Sequence, residues 1–162
     1  MAVKEMTDKY GEPNVAGDEM MVWHNAGNWH HIQVDKAETA HIFPVAHTDM
    51  LEQAVMYKVP LDKVDELAVF DGSVVFDRTQ GLLSARCDKE GNNILALNLA
   101  HDIITGKKTV DEARMAYGTI VKEKLGGGDP AYMKKLNFSA QSGAADKDIN
   151  TTGLDKMGKS AI

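Results

Sequence analysis

The sequence predicts an α+β fold, in which a small antiparallel sheet packs against about four helices. Two observations carry this prediction. Runs of β-favouring residues come in pairs around short turns, which is typical of hairpins. Strands and helices are also grouped along the chain rather than strictly alternating, which favours α+β over a doubly wound α/β fold. We expect two hairpins and one edge strand in the sheet.

The first hairpin is predicted from two β-favouring runs, Met20–His24 and residues 29–34, which flank Asn-Ala-Gly-Asn at 25–28. Asn and Gly tolerate the positive φ angles that tight turns need. A third short run at 41–45 contains Pro44, which cannot donate to a central ladder. We therefore expect this run to be the edge strand.

Two helices are predicted next. Glu52 follows Asp49 at the spacing of a capping box, which predicts a helix from about residue 49 to residue 58. Pro60 suits the first turn of a second helix, which should run to about residue 70. The Asp-Gly pair at 71–72 then ends that helix.

The second half of the chain predicts another hairpin and the main helices. Residues 73–77 and Leu82–Cys87 flank Arg-Thr-Gln-Gly and should form the second hairpin. A helix at about 94–105 is apolar around most of its circumference, so we expect it to be central and buried. Thr109 and Glu112 form a capping box that opens a helix to about residue 125. A last short helix is predicted near 131–136.

Length and composition predict one folded unit with two flexible ends. The 162 residues suit a single domain, which we place at residues 18–138. Residues 1–17 are predicted to be a flexible N-terminal segment. The C-terminal stretch 139–162 is rich in Ser, Gly, Ala, Asp and Lys and has no aromatic residue. Such a segment buries too little apolar surface to offset its ordering entropy, so a flexible, disordered tail is expected.

Charge and hydropathy exclude several functional classes. The chain has 18 Lys and Arg against 24 Asp and Glu, a net charge of −6 that disfavours nucleic acid as a partner. No apolar stretch approaches the roughly 18 residues of a membrane span. The charged N-terminus lacks the apolar core of a secretory signal, so the chain as written is expected to be cytoplasmic, or periplasmic or secreted if a signal was removed. A homo-oligomer stays open.

The histidines give the sharpest functional indication. Five of the six fall between residues 24 and 47. Neutral imidazole is the commonest metal ligand in proteins. The candidate metal ligands are His24, His30, His41 and His47, with Asp49 as a nearby carboxylate. The sequence therefore predicts a soluble metal-binding protein, and a small metalloenzyme if one coordination position stays open.

Zinc and copper are the two metals that this composition favours. A catalytic zinc typically takes three protein ligands and one water molecule. A copper site would add a thioether, and Met20, Met21 and Met50 lie beside the histidines in the sequence. The only cysteine, Cys87, excludes an internal disulfide and a zinc site built on paired cysteines. No established metal-binding spacing is present, so the signal is clustering alone.

Three other interpretations remain open at this stage. The histidines are also compatible with an ordinary half-exposed sheet. A non-catalytic binding or assembly module could use Trp23, Trp29 and the neighbouring histidines as a contact surface, because tryptophan is enriched at interface hot spots. A small enzyme could pair Cys87 with His47 or His101, since such partners need not be close in sequence.

His101 is the one histidine outside the cluster. It lies on the most apolar predicted helix, where it is either a hydrogen-bonded core residue or a ligand that binds an internal cofactor. The chain has no Cys-x-x-Cys-His sequence, which excludes covalent haem attachment.

Overall fold

The computed structural model describes residues 2–153 and contains a six-stranded antiparallel sheet with the order β1-β2-β3-β4-β6-β5. The strands are β1 Val15–Ala16, β2 Met20–His24, β3 His31–His41, β4 His47–Met56, β5 Val74–Asp77 and β6 Leu82–Cys87. Four α-helices occur in the same residues: α1 Ala2–Tyr10, α2 Val64–Phe70, α3 Glu90–Ile104 and α4 Val110–Leu125. Short 3₁₀ turns lie at Leu61–Lys63 and Ala131–Met133. The predicted α+β class is confirmed.

The core lies between the sheet and the helices. Alternate side chains of β4, namely Leu51, Gln53 and Val55, are buried on one face of the sheet. Helix α3 contacts β6, β4 and α4 and is buried around most of its circumference, which confirms the predicted central helix. Helix α4 begins with the predicted capping box, in which Thr109 and Glu112 hydrogen-bond reciprocally.

The prediction of a helix over residues 49–58 is wrong, because His47–Met56 form the strand β4. This strand pairs with β3 on one side and β6 on the other. A capping box is worth about 1 kcal/mol. Ladder hydrogen bonds on both sides, together with burial of one complete face, outweigh that local preference.

The third β-favouring run also differs from its prediction. Strand β3 continues to His41, and residues 42–46 form the loop that leads into β4. Pro44 lies in this loop after a cis peptide bond. The edges of the sheet are therefore β1 and β5, not the segment 41–45.

The N-terminal residues form helix α1, where the sequence analysis expected a flexible segment. Ala2 and Met6 are buried one helical turn apart, and Lys9 and Tyr10 both hydrogen-bond to the buried carboxylate of Glu90. An apolar stripe with i, i+4 spacing was therefore present in a segment that charged residues dominate.

Part of the predicted C-terminal tail packs on the sheet. The backbone N–H of Gln141 donates to the carbonyl of Met56 at 2.9 Å, and Ala144 is buried. The guanidinium of Arg78 pairs with Asp146 at 2.9 Å. Residues 154–162 of the expected tail lie outside the described residues. No helix within residues 2–153 is long and apolar enough to cross a membrane.

Candidate metal centre

The register of the sheet brings two of the candidate histidines together. His41, the last residue of β3, and His47, the first of β4, are direct cross-strand partners with ring centroids 4.9 Å apart. Asp49 is two residues further along β4, so its side chain points to the same face as that of His47. Its carboxylate is fully buried.

We call His41, His47 and Asp49 the His/Asp group. One ligand atom from each of these side chains lies within 4.8 Å of the other two. His41 Nδ1 is 3.3 Å from Asp49 Oδ2, and His47 Nε2 is 3.1 Å from Asp49 Oδ1. Within the part of the chain that the structure describes, no other set of three His, Cys, Asp or Glu side chains gathers in this way. The His/Asp group could hold a metal ion.

Two buried atoms of the His/Asp group have no hydrogen-bond partner among the described residues. They are His41 Nδ1 and Asp49 Oδ1. An unsatisfied buried polar atom costs about 1–3 kcal/mol. Tetrahedral zinc with ligands at about 2.0–2.1 Å separates neighbouring ligand atoms by about 3.4 Å. The two His–Asp separations, 3.3 Å and 3.1 Å, are close to that spacing, and all three ligand atoms lie within 4.8 Å of one another, so the donor set fits a small cation.

Two residues of the α2–β5 connection, Asp71 and Ser73, contact the His/Asp group. The hydroxyl of Ser73 donates to Asp49 Oδ2, and the backbone N–H of Ser73 donates to Asp71 Oδ1 at 2.8 Å. Asp71 Oδ1 also lies 3.7 Å from His41 Nε2. Burial raises the pKa of Asp71 above its ordinary value. A carboxylate on the far nitrogen of a histidine is the usual outer-shell partner of a metal-ligating imidazole.

His47 has a defined orientation. Its Nδ1 atom lies 2.8 Å from the carbonyl oxygen of Val45, so an N–H at Nδ1 donates there. In the neutral ring this tautomer carries its lone pair on Nε2, which is the nitrogen that faces Asp49. The backbone of the β3–β4 loop therefore presents the correct nitrogen for a metal ion.

The β3–β4 loop is in turn held by aromatic and cationic contacts. The ring of Phe43 packs edge-on against Tyr117 of α4, with centroids 5.2 Å apart. The guanidinium of Arg114 lies 3.8 Å from the centroid of Phe43 and donates to the carbonyl of Phe70. Helices α2 and α4 thus fix the loop that separates His41 from His47.

Cys87 lies next to the His/Asp group. It is the cross-strand partner of Leu51, and its sulfur is 3.2 Å from His47 Nε2. Burial raises the pKa of the Cys87 thiol to about 12. The residue is therefore a protonated thiol at neutral pH in the metal-free protein.

This geometry does not match an activated cysteine nucleophile. In such enzymes the base contacts the nucleophile with one nitrogen and its orienting group with the other. Here Nε2 of His47 faces both Cys87 and Asp49, and Nδ1 faces a backbone carbonyl. A pKa of about 12 also leaves almost no thiolate at neutral pH.

The other two candidate histidines lie at the opposite end of β3. His24 is exposed and pairs with His31, while His30 Nδ1 is 3.0 Å from His31 Nδ1. His31 pairs with Ala54, and His41 pairs with His47. The two ends of β3 are therefore opposite residues of β4 that are seven positions apart. At about 3.3 Å per residue this is about 23 Å. The structure brings together His41, His47 and Asp49 but not His24 and His30.

His101 is part of an aromatic cluster. Its Nδ1 lies 2.8 Å from the hydroxyl of Tyr57, and its ring stacks on Phe138 with centroids 4.8 Å apart. Burial lowers the pKa of His101. These contacts explain the residue as part of the packing, and its role in binding a cofactor stays a prediction.

The tryptophans do not form a contact surface. Trp23 is 1% exposed and Trp29 is 5% exposed. The indole N–H of Trp23 donates to the carbonyl of Gly11 at 2.8 Å, and that of Trp29 donates to Glu90 at 3.0 Å. The hypothesis of a Trp/His docking surface is therefore wrong for both tryptophans.

The fold and the site define a small α+β protein with a candidate metal centre at the end of a central strand pair. Comparison of the chain with protein-family models, curated proteins and solved structures gives no significant match in any of the three. Sequence reasoning missed Asp71 and Ser73, because Asp71 was interpreted only as part of a helix end and Ser73 only as the start of a hairpin strand.

Proposed function

We propose that the protein binds one divalent transition-metal ion, zinc in preference to copper, through His41, His47 and Asp49. One observation carries this proposal: His41 Nδ1 and Asp49 Oδ1 are buried without a hydrogen-bond partner, and the ligand atoms of His41, His47 and Asp49 lie within 4.8 Å of one another. Hydrogen bonds from Ser73 to Asp49 and from His47 to the Val45 carbonyl orient two of the ligands, and Asp71 lies 3.7 Å from His41 Nε2.

The donor set favours zinc. Two imidazoles and a carboxylate suit zinc, whereas a copper site would gain from a thioether. Met50 follows Asp49 directly on β4, so its side chain points to the opposite face of the sheet. Met20 and Met21 lie on β2, where they pair with residues 34–35 of β3. The methionines therefore give no support to copper.

The fourth coordination position has two candidate occupants. A water molecule there would make the centre the open type that supports metal-assisted hydrolysis. The thiol of Cys87, 3.2 Å from His47 Nε2, would close the centre, because a metal ion deprotonates a thiol that coordinates it. Zinc affinity in the Cys87→Ser variant distinguishes them: little change supports water, and a loss of about tenfold or more supports the thiolate.

The proposal is tested by competition for zinc between the metal-free protein and a chromophoric chelator. We expect one zinc per chain, and a loss of affinity of about 100-fold or more in His41→Ala, His47→Ala and Asp49→Asn. His24→Ala and His30→Ala are matched controls, since both histidines lie at the far end of β3. Equal zinc binding by all five variants and the wild type would overturn the proposal.

A further inference from the structure

A cavity of about 420 Å³ opens beside the candidate metal centre. His47 and Cys87 form part of its wall, whereas His41 and Asp49 do not line it. Cavities that bind small molecules are typically about 300–1,000 Å³. Of the three side chains of the His/Asp group, His47 alone reaches this cavity, so a cation held there would meet the cavity only beside His47.

The rest of the wall combines a charged part with an apolar part. Helix α4 contributes Tyr117, Val121 and Leu125, the β3–β4 loop contributes Pro44, and the 3₁₀ turn Ala131–Met133 contributes Met133. The apolar part favours an apolar body over a polar one, because transfer of each methylene group out of water is favourable.

The lysines that line the cavity have acidic neighbours. Lys89 lies 3.4 Å from Asp88, and Lys124 lies 3.6 Å from Asp129. Asp88 and Asp129 line the cavity themselves, as does Glu5, so its wall carries three carboxylates against two lysines. An anionic ligand would therefore gain little net attraction from these lysines. The centre that would balance a negative charge is a cation bound at His47.

We infer that this cavity binds a small organic acid with an apolar tail, the carboxylate on the metal ion and the tail along α4. The inference rests on the metal site proposed above, with its fourth position open to water and not filled by the thiol of Cys87. The carboxylate takes the coordination position that faces the cavity, and Val121, Leu125 and Met133 contact the tail. The shape and wall of the cavity thereby determine which class of molecule binds at the metal ion.

The tail makes a measurable contribution. Octanoate has six more methylene groups than acetate, and each buried methylene strengthens binding about fourfold. If three of the six are buried, octanoate binds about 60-fold more tightly than acetate.

Calorimetric titration of octanoate and acetate into zinc-loaded and zinc-free protein tests the inference, with zinc content measured in every sample. We expect octanoate to bind the zinc-loaded protein about 60-fold more tightly than acetate does. Octanoate should also bind the zinc-free protein at least tenfold more weakly. Val121→Trp fills the cavity and should abolish octanoate binding without loss of zinc. Val69→Trp is the matched control, because Val69 is exposed and does not line the cavity.

The outcomes separate the two proposals. Equal affinities for octanoate and acetate in protein that retains zinc overturn the inference and leave the metal site standing. Unchanged octanoate binding in Val121→Trp also overturns the inference and leaves the metal site standing. Protein that retains no zinc overturns both. Should Val121→Trp not fold, the comparison of octanoate with acetate in the wild-type protein decides alone.

Discussion

The Nε2 atom of His47 lies 3.2 Å from the sulfur of the buried Cys87, and both residues line the cavity beside the His/Asp group. His47 contacts this thiol through the nitrogen that also faces Asp49, which is not the arrangement of an activated cysteine nucleophile. The same nitrogen lies 3.1 Å from Asp49, so the contacts of His47 converge on one point.

Cys87 in the metal-free protein is expected to react slowly with thiol reagents. Burial raises its pKa to about 12, so roughly a thousandfold less thiolate is present at neutral pH than for a free thiol. The measurement is the rate of iodoacetamide labelling relative to glutathione between pH 7 and 10. A labelling rate at pH 7 equal to that of glutathione would show an activated cysteine and contradict the structural interpretation.

Ser73→Ala should weaken zinc binding about 10- to 100-fold, since its hydroxyl hydrogen-bonds to Asp49 behind the metal ligands. The backbone contacts of Ser73 are retained in this variant. Ser84→Ala is the matched control, because Ser84 is also buried but belongs to the part of β6 that pairs with Ala54. Zinc affinities from chelator competition check the prediction, and equal affinities in the two variants would contradict it.

Arg114→Met should reduce zinc affinity about tenfold and leave the fold intact. The guanidinium of Arg114 covers Phe43, which lies in the loop between His41 and His47. Its loss frees that loop without removing any ligand. Arg78→Met removes a guanidinium that pairs instead with Asp146 and Asp148, so zinc affinity should not change in this control. A similar affinity in both variants would show that Arg114 does not position the site.

The Glu90 network should make folding stability sensitive to acid. Burial raises the pKa of Glu90, but hydrogen bonds from Lys9, Tyr10, Gln53 and Trp29 outweigh it and hold the pKa below its ordinary value. A lowered pKa stabilises the folded state above the unfolded pKa of Glu, and this contribution is lost as the pH falls through the folded pKa.

Glu90→Gln should therefore lower the free energy of unfolding by about 1–3 kcal/mol at pH 7. The difference from the wild type should shrink between pH 5 and pH 3 as the native carboxylate becomes protonated. Urea unfolding across that range is the measurement. Glu66→Gln is the control, because Glu66 of α2 forms a partly exposed ion pair with Lys63 of the preceding 3₁₀ turn, and it should change stability by less than about 1 kcal/mol. A constant difference at all pH values would contradict the assigned role of Glu90.

Elements with strong local signals were predictable from the sequence. Thr109 with Glu112 opens α4, and the turn between β5 and β6 closes the second hairpin, because capping and turn chemistry act over a few residues. The capping signal at Asp49 was misleading for the converse reason. Pairing of β4 with two distant strands decided its structure, and no local pattern encodes that pairing.

Two of the four candidate histidines, His41 and His47, could be placed together from local sequence alone. His41 and His47 flank a short loop, so their convergence is local. His24 and His30 flank a different loop, and only the length of β3 shows that the two loops lie at opposite ends of one strand. Asp71 and Cys87 reach the site through tertiary packing, from elements that are distant in the sequence.

Zinc-edge anomalous diffraction from crystals of the zinc-loaded protein tests the central claim most directly. The account predicts one anomalous peak about 2.0–2.2 Å from His41 Nδ1, His47 Nε2 and an oxygen of Asp49. A well-occupied peak at His24 or His30, with none at the His/Asp group, would contradict it.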